Sequence, residues 1–152
     1  MLQIIKPAFT SESELLQLSI QDAVNASKQK DMLATVDALN AALELDPKRA
    51  DLWQYLGVAY AWLNVWSACI TSLEIALALE PDRQRARCVM AWALYHLGKY
   101  EQAIALIDDA CQRGVPGVFW AMRARIHAHT NSDPTHALKV HRDWGRRFAD
   151  PL

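Results

Sequence analysis

Cysteines and histidines are the side chains here with the widest range of chemistry, because both bind metals and a thiolate is also a nucleophile. Three cysteines, far apart and without a Cys-x-x-Cys pair, are present: Cys69, Cys88 and Cys111. Four of the five histidines lie near the C-terminus: His127, His129, His136 and His141. Their spacings of two and five residues are poor for shared ligation on a helix. We expect no metal site, histidines on the surface or in a groove, and cysteines that act as buried hydrophobes, with Cys88 the candidate for an accessible thiol.

The acidic residues include one adjacent pair, Asp108 and Asp109, near the predicted end of a helix. Adjacent carboxylates diverge by about 100° around a helix and cannot work on one reacting atom, so we expect a solvated pair. The sequence also lacks a glycine-rich phosphate loop, a His-Glu-x-x-His zinc motif and a serine-hydrolase elbow. We therefore predict that the protein is not an enzyme and requires no cofactor.

The overall composition is that of an ordinary globular chain, with 52% hydrophobic and 22% charged residues among 152. A formal net charge of -1 excludes proteins held to nucleic acid or to a membrane surface by bulk charge. No apolar run approaches the length of about 18 residues that a membrane span needs, and the N-terminus lacks a signal-peptide pattern. We expect a cytoplasmic protein with no nucleic-acid or membrane partner.

Helix-forming residues dominate the apolar composition, since the chain has 24 Ala and 19 Leu but only 8 Val and 8 Ile. This bias predicts an all-α fold. Eight helices are predicted, over 12–29, 31–45, 48–63, 66–79, 83–97, 100–113, 117–130 and 134–148. Ser11 and Glu14 predict a capping box, Gly114 is placed to end the sixth helix, and Asp46 followed by Pro47 predicts a helix start.

The chain repeats itself about every 34 residues. Pro47 and Pro81 are 34 residues apart, and Pro116 follows 35 residues later. Alanines recur at steps of 34: Ala42, Ala76 and Ala110. A period of this length with helical apolar spacing is typical of stacked helix pairs, each of which buries its apolar face against its neighbours.

Residues 50–83 resemble the tetratricopeptide repeat (TPR). The matching positions include the W-x2-L-G-x2-Y signature of its first helix: Trp53, Leu56, Gly57, Tyr60, Cys69, Leu73, Ala76 and Pro81. Gly98 holds the turn between two helices one period later, and Asn64 holds it here, since Asn also tolerates positive φ. The resemblance implies an all-α TPR solenoid of about eight helices, in which antiparallel helix pairs form a short right-handed superhelix with a concave face.

The periods also suggest how the chain is divided. We predict an N-terminal arm (1–10), a degenerate TPR (11–49), TPRs at 50–83 and 84–116, a degenerate TPR-like helix pair (117–149) and a tail (150–152). Charge is uneven along these units, with 10 basic and 14 acidic residues in 1–119 but 6 basic and 3 acidic residues in 120–152. The basic end is either a solvated helix or a site for an acidic partner or adjoining domain.

The TPR resemblance implies which side chains line the concave face. In the repeat at 50–83 these are Asp51, Gln54, Val58, Ala61 and Trp62, and in the next they are Arg85, Cys88, Trp92, Tyr95 and His96. In the degenerate repeat they are Met122, Arg125 and His129. Aromatic side chains in a concave face are typical anchors for a peptide, although packing between neighbouring helices would equally account for Trp62 and Trp92. Gln54 and Val58 stand where TPR modules that clamp a terminal carboxylate carry Lys and Asn, so such a clamp is not expected.

These features favour a protein–protein interaction scaffold that binds a peptide segment of a partner in the concave face. Two alternatives stay open: a small TPR chaperone of a secretion system, and the substrate-selecting arm of a separate glycosyltransferase. The latter follows from residues 138–152, which resemble the stretch after the repeats in bacterial proteins similar to protein O-linked N-acetylglucosamine transferase. Self-association through a terminal helix is a further hypothesis, because both predicted end helices carry surplus apolar residues.

Overall fold

The computed structural model describes residues 11–130 together with Thr135, Leu138, Lys139 and Arg142. Seven helices have defined bounds in this part of the chain: α1 (Glu12–Lys28), α2 (Met32–Leu45), α3 (Ala50–Trp62), α4 (Trp66–Leu79), α5 (Gln84–His96), α6 (Tyr100–Gln112) and α7 (Gly117–Thr130). The all-α prediction is therefore confirmed. The predicted arm (1–10) and tail (150–152) lie outside the described residues, as does most of the predicted eighth helix, of which the four isolated residues are helical.

The helix starts follow local capping chemistry, with one correction. The Ser11 hydroxyl accepts a hydrogen bond from the Glu14 amide and the Glu14 carboxylate accepts one from the Ser11 amide, which confirms the capping box. The prediction that Asp46 and Pro47 start α3 is wrong. Asp46 instead ends α2, and its carboxylate accepts the Lys48 amide within the turn, so that α3 begins only at Ala50.

The three turns within helix pairs share one backbone geometry. Lys30, Asn64 and Gly98, each 34 residues from the next, have φ values of 60°, 58° and 76°. In each turn the following amide donates to a carbonyl five residues back at 2.9 Å, which closes the end of the helix. Gly114, with φ of 93°, ends α6 as predicted. The repeat is therefore a repeat of backbone geometry, even where its residue type changes.

We expect Lys30→Gly to stabilise the protein by about 0.5–1 kcal/mol. A side chain in the left-handed region costs roughly 1–2 kcal/mol, and the extra chain entropy of Gly offsets about half of that. Lys48→Gly is the control, because this exposed lysine also lies in a turn but has no positive φ. Urea denaturation of both variants measures the effect. A loss of stability in Lys30→Gly equal to that in Lys48→Gly would contradict it.

The helices form two layers. Successive helices pack against one another along the chain, and α3 also packs on α5 and α5 on α7. Within the seven helices with defined bounds, no comparable contact joins α2 to α4 or α4 to α6. Because the odd-numbered helices approach one another more closely, the stack curves toward them. We call the surface of this odd-numbered layer the concave face.

The layers meet most closely at Gly57, where α3 crosses α4. A Cβ atom at this position would lie 2.6 Å from Leu73 Cγ and 3.3 Å from the Cys69 carbonyl oxygen. Leu73 and Ala76 on α4 are fully buried. Signature residue Trp53 lies half-buried nearby in the sequence, and its Nε1 donates to the Pro47 carbonyl at 2.8 Å. Small residues at the crossing are thus a condition of this packing.

Candidate functional site

The concave positions implied by the TPR resemblance separate into buried and accessible residues. Gln54 and Cys88 occupy the same position of successive repeats, and both are buried. Gln54 Oε1 accepts from Arg83 Nη1 at 3.3 Å, so it is tied to the connection that precedes α5. The expectation that these two side chains line an open surface is wrong, because the next odd-numbered helix covers this position in both repeats.

The three cysteines are structural. Cys69 and Cys111 are buried as predicted, but Cys88 is equally buried, so the prediction of an accessible thiol there is wrong. Burial, with a smaller contribution from Cys111, raises the pKa of the Cys88 thiol to about 12. Since the reactive form is the thiolate, Cys88 carries no nucleophilic chemistry at neutral pH.

A cavity of about 340 Å³ opens between α1 and α3, with α2 behind it. From α3 it is lined by three of the predicted positions, Asp51, Val58 and Trp62, together with Tyr55. Trp62 is 73% exposed and Tyr55 is 55% exposed. The volume is near the lower end of the range of about 300–1,000 Å³ for ligand pockets. The cavity can accept an apolar side chain without any movement of the core.

The opposite wall belongs to α1, for which the sequence reasoning named no concave positions. This wall includes Ile20, Val24, Ser27 and Lys28. Each lies 34 residues before an α3 concave position: Gln54, Val58, Ala61 and Trp62. Extending the period one step toward the N-terminus would have found them. The signature is weak in residues 11–49, but the spacing of the face persists.

The charges around this cavity are unequal. Arg49 forms two hydrogen bonds with the Asp51 carboxylate, at 2.7 and 2.9 Å. The hydrogen bonds from Arg49 hold the pKa of Asp51 below its ordinary value, against the opposing effect of burial. These two charges therefore neutralise each other. Lys28, which is exposed, is left as the uncompensated charge of the cavity lining.

The C-terminal half of the concave face is closed by aromatic contacts. Trp92 stacks on Tyr95 at 5.3 Å between ring centroids, and the Arg125 guanidinium lies 5.8 Å from the Trp92 ring. The Tyr95 hydroxyl forms a hydrogen bond with His129 Nδ1. Most of the predicted aromatic and basic residues thus come together here, but they contact one another across α5 and α7.

His96 extends this cluster toward α4. Its ring stacks on Trp66 at 4.2 Å and meets Trp92 edge-on at 4.7 Å. Burial, and secondarily the charge of Arg125, lowers the pKa of His96, which keeps the ring neutral at pH 7. Arg85 and Met122, the remaining predicted positions on α5 and α7, are exposed and half-buried respectively, and Ala61 on α3 is half-buried.

The adjacent aspartates of α6 are not a solvated pair, contrary to the prediction. Asp108 accepts from Arg123 Nε at 2.6 Å and lies 2.8 Å from His127 Nε2, both on α7. Asp109 pairs with Arg87 of α5 and with Arg113. Negative charge at a helix C-terminus is unfavourable, and these cations from neighbouring helices compensate it. His127 is buried, so the expectation of a surface or groove histidine fails at this position.

Two further searches concern the described residues alone. No group of three or more His, Cys, Asp or Glu side chains among them is arranged to hold a metal ion. None of the described helices combines the length and apolar character needed to cross a membrane.

Comparison with known proteins agrees with the repeat architecture. No protein-family model matches the chain. The interferon-induced protein with tetratricopeptide repeats 2 of Mus musculus is 34% identical over 88 residues, which cover 55% of this chain and 18% of that protein. The chain thus spans about a fifth of the length of this relative.

Solved structures share the fold. A mutant of the Thermobaculum terrenum O-GlcNAc transferase superposes with a TM-score of 0.84 at 22% identity, over 95% of this chain and 28% of that one. The first TPR of Spaghetti (RPAP3), bound to the HSP90 peptide SRMEEVD, superposes with a TM-score of 0.64 at 17% identity, over 91% and 96% of the two chains. With the W-x2-L-G-x2-Y signature and the 34-residue turn geometry, these likenesses show that the chain is a tetratricopeptide-repeat protein.

Proposed function

We propose that the protein is a non-enzymatic interaction scaffold that binds a peptide segment of a partner on its concave face. The observation that carries this proposal is Trp62, which is 73% exposed at the mouth of an open cavity. An exposed tryptophan beside an apolar cavity is costly in water, and anchors of this kind dominate the energetics of protein interfaces. The structural neighbour bound to an HSP90 peptide supports the same mode of action.

The terminal-carboxylate clamp remains outside this proposal. Gln54 and Val58 replace the Lys and Asn of such clamps, and Gln54 is buried and bonded to Arg83. We therefore propose recognition of an internal peptide segment. The site in a partner would be an extended or helical stretch that can lie along α1, α3 and α5.

The test compares partner binding by Trp62→Ala and Leu33→Ala. A partner is first captured from a lysate of the source organism, then purified, and its affinity for each variant is measured by calorimetry. We expect Trp62→Ala to lose about 2 kcal/mol of binding free energy, typical of an interface hot spot, with the melting temperature unchanged.

Leu33 is the matched control, because it is 67% exposed but lies on α2, in the even-numbered layer. We expect Leu33→Ala to bind as the wild type does. Equal affinity of the wild type and the Trp62→Ala variant would remove the main support for binding at this face.

A further inference from the structure

We infer that the cavity between α1 and α3 is the anchor site for a peptide that carries one large apolar side chain with carboxylates on either side. This inference rests on the proposed function and adds the position and the chemistry of the contact. The apolar side chain enters the cavity beside Trp62, and a neighbouring carboxylate pairs with Lys28.

The apolar part of the inference follows from the cavity walls. They are mainly aliphatic, with Ile20 and Val24 from α1, Leu39 from α2, and Leu52 and Val58 from α3. Tyr55 and Trp62 stand at the mouth with more than half of their surface in water. An entering side chain would cover both the aliphatic walls and these two rings. Burial of apolar area at roughly 25 cal/mol per Å² favours a large side chain over a small one.

The acidic part follows from the distribution of charge. The whole chain carries a net charge of -1, yet the concave positions carry uncompensated cations. At the cavity, Arg49 is neutralised by Asp51 and Lys28 is not. One repeat further, Arg85 occupies the position of Asp51 and is exposed. A ligand with carboxylates beside its apolar anchor would match this face in sign, which favours both encounter and register.

The C-terminal half of the concave face is a poorer anchor site. Trp92 is already stacked on Tyr95, has the edge of His96 against it and lies beneath Arg125. Tyr95 is bonded to His129. A ligand that used these rings would first have to break contacts that the free protein already makes. The cavity beside Trp62 requires no such exchange, because α1 and α3 are held apart.

The test uses three capped pentapeptides as probes: Glu-Glu-Phe-Glu-Glu, Glu-Glu-Ala-Glu-Glu and Gln-Gln-Phe-Gln-Gln. Each is titrated into nitrogen-15-labelled full-length protein, and amide shifts report both affinity and location. We expect the first peptide to bind with a Kd of about 1 mM or tighter and to shift amides of α1 and α3, and each of the other two to bind at least about fivefold more weakly.

Two pairs of variants sharpen the location. Ser27→Phe fills the cavity from an exposed position and should weaken the first peptide about tenfold, whereas Asn25→Phe, also exposed on α1 but outside the lining, should leave it unchanged. Lys28→Glu should weaken the same peptide about fivefold, and more at low salt, whereas Lys48→Glu should not.

Several results would overturn the inference. These are equal binding of the alanine or glutamine peptide, shifts confined to α5 and α7, insensitivity to Ser27→Phe, or no binding of any peptide up to about 5 mM. The proposed function fails separately. A captured partner whose affinity depends on Trp62, together with pentapeptides that do not bind, would retain the scaffold and reject this anchor chemistry.

Discussion

A Gly57→Leu variant is expected to lose about 3 kcal/mol of its free energy of unfolding, the upper end of the usual cost of overpacking. The reason is the crossing of α3 and α4, where even a Cβ atom would lie 2.6 Å from Leu73. Leu73 is fully buried and has no space to retreat, and the Cys69 carbonyl closes the other side. The two helices must therefore separate. Urea denaturation followed by circular dichroism measures the loss.

Ala41→Leu is the control for this prediction, because Ala41 is an exposed helical position on α2 and should change stability by less than about 0.5 kcal/mol. A double-mutant cycle tests the specific contact. Leu73→Ala alone should cost about 2–5 kcal/mol through the cavity it leaves. Gly57→Ala should then be better tolerated in the Leu73→Ala background than in the wild type, by roughly 1 kcal/mol. Strict additivity would show that the two residues do not meet.

An Asp108→Ala variant is expected to lose about 2–3 kcal/mol of stability, far more than Asp109→Ala. Asp108 is the acceptor for Arg123 and the partner of His127, whose side chains are 17% and 5% exposed. Removing the carboxylate leaves these buried donors unpaired, which is the costly way to break a polar contact. Asp109, whose side chain is 41% exposed, forms surface ion pairs worth at most about 1 kcal/mol. Equal losses from the two variants would contradict this account of α6 and α7.

The same contact predicts a response to acid. Burial acts to raise the pKa of Asp108, but the hydrogen bonds from His127 and Arg123 outweigh it and hold that pKa below its ordinary value of 3.8. The stabilisation is therefore complete above about pH 4 and is lost as the pH falls through the lowered value in the folded state. Denaturation curves at about pH 7, 4 and 3 should show a steeper acid loss in the wild type than in Asp108→Asn. Parallel losses would indicate that other carboxylates govern the acid response.

The helical repeat could be predicted from sequence because each of its signals is local. Ser11 and Glu14 cap α1 through atoms three residues apart, and the turn positions recur every 34 residues. Lys30 is the informative exception, because it adopts a left-handed conformation for which its residue type gives no warning. The period, rather than the residue, carries that information. The unexpected start of α3 at Ala50 is also local, but it depends on the choice of Asp46 between capping a helix and closing a turn.

The concave face could be predicted only in part. Residue spacing indicated Val58 and Trp62 because the period of the helix places them on one side. The same spacing indicated Gln54 and Cys88, which are buried, because spacing does not state how closely the next helix approaches. The equivalent residue on α1, Ile20, lines an open cavity. One repeat position is thus covered twice and open once, depending on the distance between odd-numbered helices.

The sequence by itself determined the all-α architecture, the 34-residue period, the turns and the small residue at the α3–α4 crossing, since all of these depend on neighbours along the chain or on a fixed spacing. Only the tertiary structure decided that Asp108 would bind Arg123 and His127, that Trp92 would be enclosed by Tyr95, His96 and Arg125, and that Trp62 would stay exposed beside a cavity. The physical reason is that these outcomes depend on side-chain packing between helices of different repeats. Distances across such interfaces are set by the sum of all the residues between them.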